Sequence, residues 1–388
     1  MRGSKLRILY VVPATPSFAG IERVTDSICE ALASRYETQL HICVLFMTAF
    51  PQIVDAQRSY EKIISVPNGR LDMLRRVRKT VSRGFDLVIV PQVEATALFW
   101  VYCFGIDRNF IMHLHGNPRR EISSWRARVL FQLMRLVVLP RLKRIFGTSP
   151  RQLEAFHADY PSAIKHVWVP NPVRRFDRPP FAPRDGGHPL RFVSVGRFAY
   201  QKGYDLLLHA FAAFRNRRTD ARLSLVGYGE EEPVLRELIQ QLDLKQDVSI
   251  EFHPDSPAIP LSQGDVYLSG ARWEGWSLAI CEALRFGLPV VAFDCEFGPS
   301  DILVDDRLGR LVAPGDIEQF VEAMVYYYDN IVEERRHAGF RADYIDQFSL
   351  DRVVHVHAHA LMEAAGIDDL PRREPSAVCP DIPVTADR

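Results

Sequence analysis

A chain of 388 residues is long enough for about two domains rather than one core. With 47% hydrophobic and 25% charged residues it is globular in composition, which excludes a disordered or collagen-like chain. The formal net charge of +0 hides an asymmetry: residues 1–178 hold 27 Lys and Arg against 14 Asp and Glu, and the remainder hold 21 against 34.

The opening MRGSKLRILYVVPATPSFA has the basic start and short apolar run of a signal peptide. A helical stripe of Ile21, Val24, Ile28 and Leu32 begins immediately after Gly20, so residues 6–12 read instead as a buried first parallel strand. Gly20 lets backbone N–H groups approach a phosphate or an acceptor, although an ordinary strand-to-helix turn would carry the same residue. Further strand candidates lie at 39–46, 62–66, 87–90, 110–114 and 144–150, alternating with helical patterns as in a doubly wound sheet. His115 ends the run FIMHLHGNP at the carboxyl end of its strand, where such sheets bind ligands. His113 shares its face, but His115 stands nearer the Gly116 turn.

Residues 119–144 hold eight basic residues and one acid among many apolar ones. Core packing is expected to absorb the apolar face, leaving a basic face that, with LRRVRKTVSR at 74–83, suits an anionic membrane surface. The longest apolar-rich runs, 95–106 and 129–140, fall short of the roughly 20 residues of a membrane span. No nucleic-acid motif accompanies the basic half. Six cysteines without paired spacing (Cys29, Cys43, Cys103, Cys281, Cys295, Cys379) read as buried thiols in a reducing compartment.

Residues 174–189, rich in Pro and Gly, suit a hinge. A second sheet starts at 190–195 and runs through Gly196-Arg197-Phe198-Ala199-Tyr200-Gln201-Lys202-Gly203 into a helical stripe of Leu206, Leu207, Ala210, Phe211 and Phe214. Arg197 and Lys202 thus flank one crossover where a diphosphate would receive charge-assisted hydrogen bonds; the alternative is two solubilising surface cations. The strand at 222–226 ends in GYGEEE: Gly227 and Gly229 lack the third glycine of a dinucleotide fingerprint, and the three acids would repel a pyrophosphate, against a nicotinamide enzyme. Strands are also expected at 248–252, 265–268 and 290–294. Between the last two, Glu274 lies in a Trp- and Gly-containing turn, Ser277 suits a helix N-cap, Leu278 and Ala279 offer free N–H groups, and Glu282 follows one turn on. An anion at such a helix tip gains roughly 0.3–2 kcal/mol from the dipole. The two carboxylates suit sugar hydroxyls, not phosphate. Residues 317–345 are helical in pattern, Ser349 suits the cap of a last helix through Val353, Val354, His357 and Leu361, and 366–388 read as a flexible tail.

The string EGWSLAICEALRFGLPVVAFDCEFGPSDI at 274–302, with VGRFAYQKGYDLLLHAF and AGIERVTDSICEAL, resembles the E-x7-E signature and companion motifs of retaining glycosyltransferase family 4. The resemblance implies an α/β GT-B fold, two Rossmann-like doubly wound domains facing a central cleft. Residues 1–178 would form the acceptor side and 179–348 the nucleotide-sugar side, with 349–365 crossing back as a helix and 366–388 as the tail. It places Glu282 on the donor ribose, Glu274 against the transferred sugar, and Arg197 and Lys202 on the diphosphate. His115 falls near the donor sugar, Gly20 and Gly227 in turns lining the donor site, and Ser277, Leu278 and Ala279 at the helix tip. Three positions depart from the family: Ala19 for a Gly, Asp301 for a Glu, and His253-Pro254 in a loop that usually carries Gly, which leaves the nucleotide base open.

The implied activity is transfer of a hexose or N-acetylhexosamine from a nucleotide-diphosphate sugar, a UDP-sugar favoured, to a hydroxyl of a glycan or lipid-linked acceptor in polysaccharide or lipopolysaccharide synthesis. The chain has no Asp-x-Asp pair of the kind that holds a divalent cation, so neither metal nor other cofactor is expected beyond the nucleotide-sugar co-substrate. The expected location is cytoplasmic and peripheral on the inner face of the cell membrane. Two alternatives stay open, a non-catalytic sugar-nucleotide-binding subunit and another GT-B enzyme such as a sugar-nucleotide epimerase.

Overall fold

The computed structural model describes residues 5–15, 18, 20–106, 109–121, 125–176, 189–253 and 256–367. The chain divides into two compact units, Met1–Pro172 with Phe348–Arg388, and Val173–Gln347.

Unit 1 is built on seven parallel strands: β1 (Leu6–Val12), β2 (Leu40–Phe46), β3 (Glu61–Ile64), β4 (Leu87–Pro91), β5 (Phe110–Leu114), β6 (Arg144–Gly147) and β7 (His166–Trp168). Their spatial order is β3-β2-β1-β4-β5-β6-β7. The central strands are continuous apolar runs because helices cover both faces of the sheet. Phe110, Met112 and Leu114 of β5 join a core with the helices Arg70–Val81, Val93–Tyr102 and Trp125–Leu133, the last continued by a π-helical turn, Met134–Val138. Strand alternation turns Ile111 and His113 to the opposite face. On that side the helix Leu350–Ala364 packs against the helix Gly20–Arg35.

Unit 2 holds β8 (Leu190–Val195), β9 (Ala221–Val226), β10 (Val248–Glu251), β11 (Val266–Ser269), β12 (Val290–Phe293) and β13 (Gly309–Val312), all parallel, in the order β10-β9-β8-β11-β12-β13. Its core gathers Phe192 of β8 with Phe211 and Phe214 of the helix Tyr204–Arg215 and Phe320 and Tyr327 of the helix Ile317–Glu334. In each unit the chain reverses direction across the sheet beside its first strand, between β1 and β4 and between β8 and β11. Such switch points open a crevice at the carboxyl ends of the strands.

Several sequence expectations need revision. Strands β7 and β13 were not anticipated; HVW and GRLV are too short and too polar to stand out as runs. Ser277 and Ser349 occupy N-cap positions, but neither side chain makes a capping hydrogen bond. Burial absorbs Phe131, Met134, Val138, Leu139 and Leu142, but Trp125, Val129 and Leu136 are exposed. Residues 177–188 of the expected hinge, Ala19, Pro254, Cys379 and the tail beyond Ile367 lie outside the described residues. The other five cysteines are buried. Among the described residues no helix is long and apolar enough to cross a membrane.

Candidate active site

The switch point of unit 2 gathers the charged groups. After β8 a one-turn 3-10 helix, Tyr200–Lys202, ends at Gly203, whose left-handed φ of 61° suits glycine. A Cβ on Gly203 would lie 1.9 Å from the Gly270 carbonyl oxygen, so the loops after β8 and β11 touch backbone to backbone. Gln201 Nε2 donates to the Trp273 carbonyl at 2.9 Å, and the Arg272 N–H donates to the Gln201 carbonyl at 2.8 Å. Arg272 also forks onto the Asp205 carboxylate at 2.9 and 2.6 Å. These ties place Lys202 Nζ 2.5 Å from Glu274 Oε1, with Glu274 itself buried. Glu274 is held from behind, its N–H donating to the Glu296 carbonyl at 2.8 Å and its carbonyl accepting from the Phe297 N–H at 2.9 Å.

Lys202, Glu274, Ser277 and Ala279 line one small pocket with Ser194, Tyr204, Tyr267 and Ser269. Since the Ser277 hydroxyl does not cap the helix Leu278–Arg285, it leaves the N–H groups of the first turn to other acceptors. Glu282 lies one turn further, its side chain 12% exposed, with Arg174 Nε 3.7 Å from its Oε1. Burial pushes the Glu282 carboxyl up to about 7, and the Arg174 guanidinium draws it part of the way back. Burial likewise raises the Tyr267 phenol; its hydrogen bond with Val195 lowers it, and the charges of Glu274 and Glu282 push it up further. Both carboxylates therefore act on one neighbour.

Arg197 and Gly227 belong to the adjoining edge and do not line that pocket. Arg197 is exposed, and its guanidinium pairs with no carboxylate among the described residues. Gly227 packs on the neighbouring loop so tightly that a Cβ there would meet the Gly196 carbonyl oxygen at 1.9 Å. The Phe198 N–H donates to the Tyr228 carbonyl at 2.8 Å, fixing the backbone beside Arg197.

In unit 1, His115 follows β5 and its ring lies against that of His113, centroids 3.9 Å apart and planes tilted by 40°. His357, from the last helix, lies 6.1 Å from His113 and donates from Nε2 to the Pro170 carbonyl at 3.1 Å. His115 Nδ1 and His113 Nε2 are buried and have no hydrogen-bond partner among the described residues. Burial holds His115 down at about 3, with His357 adding to the effect, so its ring is neutral at physiological pH. Gly20 opens its helix, and among the described residues no neighbour stands within 4 Å of where its Cβ would be.

Three polar residues at these edges escaped sequence reasoning. Arg174 stands at the start of the Pro- and Gly-rich stretch 174–189, with no local pattern to mark it. Gln92, at a left-handed φ of 65°, points its amide at the Gly116 turn, and Gln152 Nε2 donates to the Gly116 carbonyl at 2.6 Å. A polar residue directly after a buried strand is the one signal Gln92 carries.

The sequence model of the family Glycosyl transferases group 1 matches residues 180–342. The amylovoran biosynthesis glycosyltransferase AmsD of Erwinia amylovora is 33% identical over 312 residues, covering 77% of this chain and 84% of AmsD. An uncharacterized glycosyltransferase of Haemophilus influenzae is 30% identical over 138 residues, 36% of this chain, and the match spans only 39% of that protein. Among solved structures, HepE of Anabaena in complex with UDP superposes with a TM-score of 0.75 at 18% identity, covering 93% of this chain and 100% of HepE, a likeness of fold.

Proposed function

The chain belongs to the group 1 glycosyltransferases and has their GT-B fold, and from that premise we propose that it moves a hexose or N-acetylhexosamine from a nucleotide-diphosphate sugar to an acceptor hydroxyl, with retention at the anomeric carbon. The observation that carries this reading is the unit 2 pocket, where Lys202, Glu274 and the open first turn of the helix Leu278–Arg285 stand together.

The chemical demand is a place for the negative charge that grows on the diphosphate as the glycosidic bond breaks. Lys202 has three N–H donors and gives one to Glu274, so others remain for phosphate oxygens. Arg197 supplies a second cation and the helix tip a third set of donors. This supply supports catalysis without a metal. Glu274 accepts hydrogen bonds from the transferred sugar and Glu282 from the ribose. His115, a neutral imidazole at the end of β5, is the group proposed to bond a sugar hydroxyl. The acceptor oxygen bonds the anomeric carbon from the face the phosphate leaves, and the departing phosphate oxygen takes the acceptor proton.

A UDP-sugar is the favoured donor, as HepE was solved with UDP. A polysaccharide or lipopolysaccharide acceptor on a lipid carrier is supported by AmsD, named for amylovoran biosynthesis, and by the basic first unit, which suits an anionic membrane face. A thermal-shift panel of UDP-, GDP- and ADP-sugars is expected to single out one base. In a transfer assay with that donor, Lys202→Ala and Glu274→Ala should lower kcat about a hundredfold, Glu282→Ala should mainly raise KM, and EDTA should leave the rate unchanged. Wild-type kinetics in all three variants would remove the assignment. Tight donor binding with neither hydrolysis nor transfer would identify a non-catalytic subunit, and sugar release without acceptor product an epimerase-type enzyme.

A further inference from the structure

We propose that the outward face of the helix Trp125–Leu133 and its π-helical continuation, together with the end of the helix Val93–Tyr102, is a docking surface for an anionic lipid bilayer. This deepens the reading above and rests on its lipid-carried acceptor.

The segment has two apolar stripes where one would suffice for packing. Ala127, Phe131, Met134 and Val138 face the core. Trp125, Val129 and Leu136 recur at helical spacing on the other side and are 70%, 57% and 69% exposed. The neighbouring helix adds Val101 and, just past its end, Phe104 at 73% exposure. Both helices pack into the same core on the same face of the sheet, so their outward residues share one surface. Single exposed apolar residues are ordinary; five large ones on adjacent helices form a patch that solvent disfavours.

Charge selects the occupant. Arg128, Arg135 and Arg141 are interleaved with the outward stripe and exposed, and Arg128 and Arg135 pair with no carboxylate among the described residues. Glu121 is the sole acid of residues 119–144. A second copy of the chain would bring these like charges together on a self-complementary interface. An anionic bilayer meets both demands at once. Lipid phosphates accept from the guanidinium groups, Trp125 lies at headgroup level, and Phe104, Val129 and Leu136 reach the first methylenes.

The test is flotation of the full chain with vesicles of phosphatidylcholine alone or an equimolar mixture with phosphatidylglycerol. Wild type should float with the mixed vesicles only and be released by high salt. Arg128→Glu and Arg135→Glu should each weaken binding by at least about fivefold, and Trp125→Ala with Leu136→Ala should reduce it further at constant charge. The stabilisation by nucleotide expected in the thermal-shift panel should persist in every variant, which separates loss of docking from loss of fold or of the donor site. No flotation of wild type, equal flotation with neutral vesicles, or variants that float like wild type would each overturn the docking surface while leaving the glycosyltransferase reading intact.

Discussion

Glu282 carries the sharpest single-residue consequence. Its carboxyl rises from an ordinary 4.5 to about 7 because burial removes water faster than Arg174, 3.7 Å away, can replace it. The folded chain therefore holds a proton that the unfolded chain releases above about pH 4.5, so the stability of the donor-free protein falls as pH rises from about 4.5 to 7. Ribose hydroxyls that donate to this carboxylate need it ionised. Nucleotide affinity should accordingly weaken as pH falls through about 7, approaching tenfold per pH unit below it, and the dependence should vanish in Glu282→Gln. Titration calorimetry from pH 5 to 8 checks this, and a flat wild-type profile would refute it. That Glu282 faces something was legible from its spacing to Glu274. The shift was not, since burial by distant parts of the chain sets it and Arg174, in the Pro- and Gly-rich stretch 174–189, only tempers it.

At the scale of the element, the turn 200–203 decides whether Lys202 meets Glu274. Gly203 combines a left-handed φ of 61° with an approach that would put a Cβ 1.9 Å from the Gly270 oxygen. Left-handed backbone costs a non-glycine residue roughly 1–2 kcal/mol, and here a backbone carbonyl blocks the way as well. Gly203→Ala should therefore destabilise unit 2 by more than about 2 kcal/mol in urea denaturation and separate the Lys202–Glu274 pair, weakening nucleotide binding together with stability. Retention of both would show that the two loops part freely. The sequence marked Gly203 as the end of a motif; its contact with Gly270 joins segments far apart in the chain. The helix Trp125–Leu133 illustrates the same limit: periodicity showed that its segment was rich in apolar residues, but only its neighbours determine which stripe is covered.

At the scale of the molecule, unit 1 is discontinuous. The chain leaves it at Pro172 and returns at Phe348, and the returning helix Leu350–Ala364 packs Val353, Val354, Ala358, Leu361 and Met362 inward. His357 donates to the Pro170 carbonyl, and Tyr36 bonds His355. Each buried Val, Leu or Met side chain contributes about 1.5–3 kcal/mol, so a chain ending at Gln347 should lose cooperative melting of unit 1 in calorimetry. Unit 2 keeps its own core and should still be stabilised by the nucleotide that wild type binds. An unchanged unit 1 transition would contradict the packing. Unit 2 consists of one continuous segment, which also explains why a motif-based reading was clearer there.

The sequence by itself determined the order of most strands and helices, the presence of two doubly wound sheets, and the carboxylate pair with its cationic companions. Each of these is written in local periodicity or in spacing along a single segment. Only the tertiary structure decided that Lys202 bonds a carboxylate 72 residues away, that Arg174 tempers Glu282, that the Ser277 hydroxyl leaves its helix tip open, and that a second apolar stripe faces water. Burial, pairing and a shifted pKa belong to what surrounds a side chain, and those surroundings are assembled from distant parts of the chain.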